Sequence, residues 1–589
     1  MTEISYDVAD AIMRRVRSHP ARPAVSDGVD DWTYGQLGRY AEQVASHLNA
    51  QWVGPGDTVV VHGGSDTRTV AVLLGVLLSG AAYLATGDGT PVDRLAHMVR
   101  DVGAGTVITA DPAAFRSIDV RVVLVDDWGD EPPIEPPEFP PTSPAYVVYT
   151  SGTTGVPRGA TISRGALSWH AGAVGSRFVL TPHDRVLQAA SLAFDVAAEE
   201  IWPTLYAGAA VHILRGGLSA AGYASLTRAV REREVTIVNL PAGYFSGWSA
   251  HLGRTGDLPP ALRLVVTGSE ELPMVAARRW CAVEGHPRLL NAYGVSEATI
   301  TSLTFDVRAE ALTGDRVPIG SPLPGVRAVI VDDDGTPVRE GIDGNLILGG
   351  PGVMLGYRGA DPRPPERIRD LPVDGAGAGP WYLTGDRARA EDGLIYFLGR
   401  ADDQLKLNGV RVDPGEIAAV LTAHPAVLDA RVMTVRGRLV AGLRAAQPIA
   451  DLDPLFDHLR QVLPEVMIPQ DLVVLDDFPR TPGGKTDGRA VRAAVAARLA
   501  ADERTSRRAD VGSVLQRLWL EVLAVPDIQG SSDFFHLGGD SLRAARVSRA
   551  LRRETGVDCP VRTIFSHSRF DDYVRQVRLL ADGHATSNP

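Results

Sequence analysis

A chain of 589 residues exceeds what one compact core can hold, so we expect about three or four domains. Hydrophobic residues make up 44% and charged residues 22%, which is ordinary for a globular protein and argues against long disorder. The net charge of -12 argues against nucleic acid as the main partner, because phosphate binding needs a concentrated positive face.

The N-terminal segment has early acidic residues and no apolar core of the signal-peptide kind. The most apolar stretch, 70–85, is too short and too interrupted by glycine for a membrane span. The cysteines Cys281 and Cys559 stand outside disulfide or metal-ligand spacings. We therefore expect a cytoplasmic protein with no membrane partner, no disulfide framework and no structural zinc.

Strands and helices alternate from about residue 59. Short β-branched runs such as TVVVH and TVIT are separated by helix-like segments such as TRTVAVLLGVLLSG, and the alternation returns in VTIVNL and LRLVVTG. This alternation predicts parallel sheets covered by helices on both faces. The proline-rich segment 131–144 predicts a surface connector. Short β segments with turn residues over 326–357 predict a small barrel or distorted sheet.

The segment YTSGTTGVPRG, which begins at Tyr149, follows a predicted strand. Its glycines allow close approach to an anion and its hydroxyls add donors, although composition alone also fits an ordinary turn. The segment resembles the phosphate-binding loop of nonribosomal peptide synthetase adenylation domains, members of the adenylate-forming superfamily. The family usually has lysine where Arg158 stands, which replaces a point charge by a planar fork. The resemblance implies ATP contacts from Thr150, Ser151, Gly152, Thr153, Thr154, Gly155 and Arg158.

The segment NAYGVSE resembles the aromatic-plus-acid motif of that family. The resemblance implies that Asn291, Ala292 and Tyr293 contact ATP, with the tyrosine near the adenine. It also implies that Ser296, where threonine is commoner, touches the phosphate and that Glu297 holds Mg²⁺; both are predicted catalytic residues. A lone Glu297 would be an ordinary surface acid.

Two further segments, YLTGD and GRADDQLKLNG, resemble the family's ribose motif and its hinge. The resemblance implies that Asp386 accepts from both ribose hydroxyls, and a carboxylate suits that task. It implies a ribose or phosphate contact for Arg400, a hinge at Asp402 and a thioesterification loop at Gly409. A charged interdomain linker is the alternative for the hinge segment.

The segment PGGKTD resembles the family's catalytic lysine loop. By that match Lys485 contacts the substrate carboxylate and the α-phosphate as charge builds up in the transition state. Two departures are present, GGKTDG where NGKxDR is commoner and Asn345 where glutamate is usual.

The segment SLAFDVAAEEI resembles the family's Phe-Asp motif, which places Asp195 against the α-ammonium of an amino acid. Glu199 falls on a variable position of the pocket wall, although acids at a helix start also offset the helix dipole. A buried Glu199 needs a partner, so we expect a substrate with a cationic or donor-bearing side chain, such as ornithine, lysine, arginine or an aminated aromatic. By the same resemblance, the remaining substrate contacts are implied to be Val196, Gly243, Val265, Thr267, Ala292, Ile300, Thr301 and Lys485.

The segment DFFHLGGDSL precedes a helical pattern and is similar to peptidyl carrier domains. In those domains the serine carries 4'-phosphopantetheine, which implies attachment at Ser541; helix capping is the alternative role. The helix that follows is arginine-rich, which indicates a solvated face or a docking surface for a partner. Its arginines are Arg543, Arg546, Arg549, Arg552 and Arg553.

The resemblance covers nearly the whole chain and implies an α/β multidomain protein. We expect a large layered α/β adenylation core with a small β-barrel, a small mobile α+β C-terminal subdomain, a linker, a four-helix carrier bundle and a short tail. The predicted boundaries are 1–401, 402–500, 501–510, 511–582 and 583–589.

The implied reaction has two half-reactions. ATP and Mg²⁺ activate an amino acid as aminoacyl-AMP, and the aminoacyl group then passes to the thiol of the arm on Ser541. The implied partners are a phosphopantetheinyl transferase and a condensation or tailoring enzyme in trans, and a small activating protein is left open. One alternative is an acyl- or aryl-CoA ligase, which Asp195 and the fused carrier argue against. The other is a catalytically silent carrier scaffold; Lys485, Asp386 and Glu297 argue against it, although Arg158 and Asn345 leave it open.

Overall fold

The computed structural model divides the chain into two compact units, Met1–Glu416 with Gln461–Val466, and Ile417–Arg460 with Met467–Pro589. It describes residues 7–126, 128, 138–150, 157–358, 367–370, 379–400, 405–407, 410–447, 449, 451–479, 488–506, 511–523, 525, 527–539 and 541–585.

The first unit is built from strands and helices that alternate over most of its length. Its strands are β1 (Pro23–Ser26), β2 (Asp31–Thr33), β3 (Thr58–His62), β4 (Ala82–Thr86), β5 (Thr106–Thr109), β6 (Arg121–Leu124), β7 (Pro144–Thr150), β8 (Arg158–Ser163), β9 (Arg185–Gln188), β10 (Ala210–Ile213), β11 (Ile237–Pro241), β12 (Leu264–Gly268), β13 (Arg288–Tyr293), β14 (Leu303–Val307), β15 (Ser321–Pro322), β16 (Arg327–Val331), β17 (Gly344–Gly349), β18 (Gly356–Tyr357), β19 (Ile368–Asp370), β20 (Pro380–Glu391), β21 (Leu394–Arg400), β22 (Leu405–Leu407) and β23 (Val410–Val412). Its helices are α1 (Val8–Ser18), α2 (Tyr34–Ala50), α3 (Thr67–Ser79), α4 (Val92–Val102), α5 (Arg164–Arg177), α6 (Asp195–Ala207), α7 (Gly217–Ala220), α8 (Tyr223–Glu232), α9 (Ala242–Thr255) and α10 (Met274–Cys281).

A seven-stranded sheet has the order β18-β8-β7-β4-β3-β5-β6. Its central strands β3 and β4 are buried at every residue, as expected for parallel strands covered on both faces. One face packs against α4, and the other packs against α2 and α3. The helix α3 is apolar nearly all round because it lies inside the unit and not at its surface.

A nine-stranded sheet has the order β15-β14-β13-β12-β11-β9-β10-β1-β2. Its outer face packs against α8, α9 and α10 through residues such as Val238 and Val265. Its inner face packs against α5 through residues such as Ile237 and Val266. Neighbouring residues of one strand therefore belong to different cores, which matters for the substrate pocket.

A third, antiparallel sheet runs β16-β17-β20-β19, and β21 also pairs with β20. It forms the half-barrel of the predicted fold; the small barrel expected from the sequence is open among the described strands. The layered α/β class is confirmed.

The second unit holds the C-terminal α+β subdomain and the helical carrier region. The subdomain contains α11 (Pro414–Ala423), which begins within the first unit, together with β24 (Val427–Val435), β25 (Arg438–Ala445), α12 (Asp453–Val462), β26 (Asp471–Leu475) and α13 (Gly488–Ser506). The sequence predicted a linker over 501–510, but α13 continues to Ser506 because alanine, glutamate and arginine favour helix.

The carrier region contains four described helices, α14 (Val511–Leu523), α15 (Ser541–Thr555), α16 (Arg562–Ser566) and α17 (Phe570–Ala585). Its core forms around Trp519, whose ring centroid lies 4.9 Å from that of Phe534 and 5.1 Å from that of Phe570. Among the described helices, none has both the length and the apolar character needed to cross a membrane.

Candidate active site

A cavity of about 110 Å³ lies at the carboxyl ends of β11, β12 and β13, where the start of α6 faces the sheet. Clefts at strand carboxyl ends are the usual ligand sites of open α/β sheets. Six of the predicted substrate contacts line it, namely Asp195, Val196, Glu199, Ala292, Ile300 and Thr301. Ala292 is also a predicted ATP contact, and three further residues predicted to act on ATP line the cavity, namely Thr150, Ser296 and Arg400.

The turn after β13 owes its shape to a glycine. Thr299 and Ile300 both adopt left-handed backbone conformations, with φ of 59° and 67°. The turn folds back so closely that a Cβ on Gly294 would lie 1.6 Å from the Ile300 carbonyl oxygen. A side chain at Gly294 would therefore displace the segment that carries Ser296 and Glu297.

Asp195 is the first residue of α6 and lines the cavity together with Ser296. Burial raises the pKa of the Asp195 carboxyl, and the nearby charges of Glu199 and Glu297 raise it further. The ionised form of Asp195 is therefore disfavoured in this environment, and a cationic ligand in the cavity would stabilise it.

Glu199 lies one turn further along α6 and is 3% exposed. Asn239 of β11 donates from Nδ2 to Glu199 Oε1 over 3.0 Å. On the other side Nε2 of the fully buried His170 lies 3.0 Å from Glu199 Oε2, without the alignment of a hydrogen bond. This buried group of acid, imidazole and amide forms the polar part of the pocket wall.

Glu200 connects α6 to the end of β9 through hydrogen bonds. Its Oε2 accepts from the backbone N–H groups of Ala189 and Ala190 over 3.0 and 3.1 Å, and from Gln188 Nε2 over 3.2 Å. Burial raises the pKa of Glu200 to about 8 in spite of these hydrogen bonds. The glutamate therefore ties the end of β9 to the helix that carries Asp195.

Asp386 of β20 is fully buried between a donor and a cation. Tyr293 donates its hydroxyl to Asp386 Oδ2 over 2.5 Å, and Arg400 donates from Nη1 to Asp386 Oδ1 over 2.7 Å. Burial and the Asp386 charge raise the pKa of Tyr293, which keeps its proton for the hydrogen bond. The structure thus brings together the predicted nucleotide residues Tyr293, Asp386 and Arg400.

Glu297 is also fully buried, and Tyr357 of β18 donates its hydroxyl to Glu297 Oε1 over 2.7 Å. The Arg158 guanidinium lies 5.7 Å from the centroid of the Tyr357 ring. Arg158 pairs with Thr150 across β7 and β8, so these two residues anchor both ends of the predicted phosphate loop.

Some predicted site residues lie away from the cavity lining. Val265 and Thr267 point to the opposite face of the sheet, because they alternate with Val266 and Gly268 along β12. Gly268 lines the cavity in place of Thr267.

Gly243 lies on α9, where its backbone N–H donates to Glu270, and the cavity-lining residue of that segment is Asn239. Asn291 is turned away as well, since its amide donates to the Pro318 carbonyl over 2.7 Å. Asn239, Gly268 and His170 were not predicted from the sequence. The alternation of side chains along the strands beside Ala292 could have indicated Asn239 and Gly268, whereas His170 lies on a helix far in sequence from every motif.

Several predicted residues lie outside the described part of the chain, namely Ser151, Gly152, Thr153, Thr154, Gly155, Asp402, Gly409 and Lys485. Ser541 is described at the backbone as the first residue of α15. Asn345 donates from Nδ2 to Asp333 over 3.0 Å in the half-barrel sheet.

A family model described as AMP-binding enzyme matches residues 12–358 of the chain. The chain belongs to the AMP-binding enzyme family. The AMP-binding enzyme C-terminal domain matches 416–485, and the phosphopantetheine attachment site matches 513–577. These matches confirm the predicted adenylation core, its C-terminal subdomain and a carrier domain. The class of enzyme is an adenylate-forming ligase.

Curated relatives are longer than this chain. The isonitrile lipopeptide synthase of Streptomyces coeruleorubidus is 36% identical over 91% of the chain, which spans 37% of that protein. The phosphinothricin tripeptide synthetase PhsC of Streptomyces viridochromogenes is 34% identical over 95% of the chain, which spans 52% of it. The chain therefore corresponds to a part of each relative.

Two solved adenylation–carrier proteins are similar to this chain. Holo-PA1221, an NRPS protein containing adenylation and PCP domains bound to a vinylsulfonamide inhibitor, has a TM-score of 0.77 at 27% identity and covers 97% of this chain and 96% of its own. NpsA-ThdA, an artificially fused adenylation–PCP di-domain from Klebsiella oxytoca, has a TM-score of 0.71 at 25% identity and covers 79% of this chain and 93% of its own.

Proposed function

We propose that this adenylation domain activates an α-amino acid with ATP and loads it onto its own carrier domain. The observation that carries the proposal is Asp195, an acid with a raised pKa in a cavity that also holds Arg400. The α-ammonium of an amino acid would supply the positive charge that Asp195 lacks. Fatty and aryl acids, the substrates of the rival CoA-ligase function, carry no such group.

The nucleotide side of the cavity supports the same proposal. Asp386 would accept from the ribose, and its hydrogen bonds to Tyr293 and Arg400 hold it in place before the nucleotide binds. The Ser296 hydroxyl would face the phosphates. Lys485, which lies outside the described residues, would stabilise the charge that develops on the α-phosphate.

Glu297 would hold Mg²⁺ together with the phosphates of ATP. Within the described part of the chain no three acidic, histidine or cysteine side chains gather as a metal site. A single buried carboxylate suits Mg²⁺, which usually takes one or two carboxylates and completes its octahedron with water and phosphate. The ion would offset negative charge on the phosphates during the attack of the carboxylate.

Ser541 would carry 4'-phosphopantetheine, whose thiol accepts the aminoacyl group. A phosphopantetheinyl transferase is needed to attach this arm. A condensation or tailoring enzyme would take the aminoacyl group for the synthesis of a nonribosomal peptide or another amino-acid-derived product. Asp402 would serve as the hinge of the C-terminal subdomain, and the Gly409 loop would serve the transfer step.

The buried group of Glu199, Asn239 and His170 supports a substrate with a cationic or donor-bearing side chain. Glu199 is an acid in a wall that also holds small and apolar residues such as Ala292 and Ile300. A carboxylate buried in that wall binds best to a side chain that donates hydrogen bonds or carries positive charge. Ornithine, lysine, arginine and aminated aromatics are such side chains.

Amino-acid-dependent exchange of pyrophosphate into ATP tests the proposal. We expect exchange with a basic or donor-bearing amino acid and none with the matching acid that lacks the α-amino group. No exchange with any amino acid would overturn the proposal in favour of a silent scaffold. Activity with fatty or aryl acids alone would favour the CoA-ligase function.

A further inference from the structure

The second unit contains a row of ion pairs between the carrier helix α15 and the C-terminal subdomain. Arg546 donates from Nη2 to Asp457 of α12 over 2.9 Å, and Arg549 donates from Nη2 to Asp453 over 3.4 Å. Arg546 and Arg549 are three residues apart, so they project from one face of α15. The two acids are four residues apart and share one face of α12 in the same way.

The row continues beyond α12. Arg552 donates from Nη1 to Asp471, the first residue of β26, over 3.1 Å, and the side chains of this pair are only 12% and 19% exposed. A pair of the opposite polarity lies beside it, because Arg438 of the subdomain donates to Asp558 of the carrier region over 2.9 Å. Reversed polarity makes the two surfaces complementary at more than one point and fixes their relative orientation.

The guanidinium of Arg549 also lies 4.1 Å from the centroid of the Phe456 ring on α12. This distance suits a cation–π contact, which a planar guanidinium makes along with its ion pair. The contact therefore combines ionic and apolar parts, unlike the scattered charges of a solvated helix face.

We infer that the arginine face of α15, defined by Arg546, Arg549 and Arg552, is an intramolecular docking surface for the acidic face of the C-terminal subdomain. The acidic face consists of Asp453, Asp457 and Asp471. The carrier region is then held on the subdomain and moves with it. A separate protein that binds this face of α15 must displace the subdomain first.

The inference goes beyond the proposed function and does not depend on it, since docking can be measured without substrate. Hydrogen–deuterium exchange of the full-length protein reads it directly, because amides that open after undocking exchange in proportion to the undocked population. In R546Q/R549Q we expect the amides of 453–462 to exchange about ten-fold faster. Two partly exposed ion pairs together change the docking equilibrium constant by about two- to thirty-fold. Raising salt to about 1 M should have a similar effect on the parent protein.

The reciprocal variant D453N/D457N changes only the subdomain. Its effect is measured in the carrier helix α15, where the amides of 541–555 should exchange faster than in the parent protein. Arg575→Gln is the matched control, because Arg575 is 69% exposed and pairs with Asp572 of its own helix. Unchanged exchange in α14 and α17 shows that the carrier stays folded; if R546Q/R549Q fails this check, D453N/D457N decides. The inference would be overturned if amides of 541–555 exchange at the parent rate in D453N/D457N and amides of 453–462 in the parent protein do not exchange faster at high salt.

Discussion

Replacing Asp195 by asparagine removes the charge that we assign to the α-ammonium contact while it keeps the size of the side chain. Breaking a buried ion pair costs about 3–5 kcal/mol, which corresponds to about 100- to 5,000-fold in kcat/KM. The asparagine carbonyl can still accept a hydrogen bond, so we expect the lower end of this range for Asp195→Asn.

The same substitution should leave folding stability unchanged or raise it. Burial and the charges of Glu199 and Glu297 raise the pKa of Asp195, so ionising this carboxyl costs free energy when no cationic ligand is bound. A neutral asparagine avoids that cost. Loss of activity with retained or increased stability is therefore the signature of a residue that serves the ligand and not the fold.

The assay is pyrophosphate exchange with the cognate amino acid and with its analogue that lacks the amino group, combined with urea denaturation of both proteins. Asp343→Asn serves as a control, because Asp343 is 45% exposed and pairs with Arg389 away from the cavity. Asp195 does not bind the α-ammonium if Asp195→Asn keeps the parent preference for the amino acid over the analogue. Asp195 serves the fold if the variant loses several kcal/mol of stability along with its activity.

Three further predictions concern the framework of the site. Gly294→Ala should lower the free energy of unfolding by at least about 3 kcal/mol, because a Cβ would lie 1.6 Å from the Ile300 carbonyl oxygen. Chemical denaturation measures this loss, and a parent-like free energy of unfolding would contradict the prediction. The pKa of Glu200 is about 8 in the folded protein, against an ordinary 4.5. Between pH 4.5 and 8 the folded protein therefore holds a proton that the unfolded chain has released, and folding stability falls as the pH rises through this range. Melting temperatures should fall less steeply over that range in Glu200→Gln than in the parent, and parallel curves would refute the assignment. Tyr293→Phe should cost about 1.5–3 kcal/mol of stability and raise KM for ATP, since Asp386 loses a charge-assisted donor; unchanged values of both would contradict it.

Residues in local motifs could be located from the sequence alone, because a motif brings its own backbone conformation. The turn at Gly294 requires a glycine, and the start of α6 follows from the residues around Asp195. The layered α/β class followed in the same way from strands rich in β-branched residues alternating with helices.

Residues whose position depends on strand register were harder to predict. A shift of one residue along β12 exchanges Thr267 for Gly268 in the cavity, since neighbouring side chains point to opposite faces. His170 reaches Glu199 through the packing of α5 against α6, which no local pattern encodes. The acids that meet the arginine face lie far from it in sequence, so only the folded unit identifies them.

The most direct test of the central claim is the intact mass of the full chain carrying phosphopantetheine, after incubation with ATP, Mg²⁺ and a basic or donor-bearing amino acid. We predict a mass increase of one aminoacyl group on the parent protein and none on Ser541→Ala, which should still catalyse pyrophosphate exchange. No mass increase with any amino acid, or an increase that persists in Ser541→Ala, would contradict activation and self-loading by this chain.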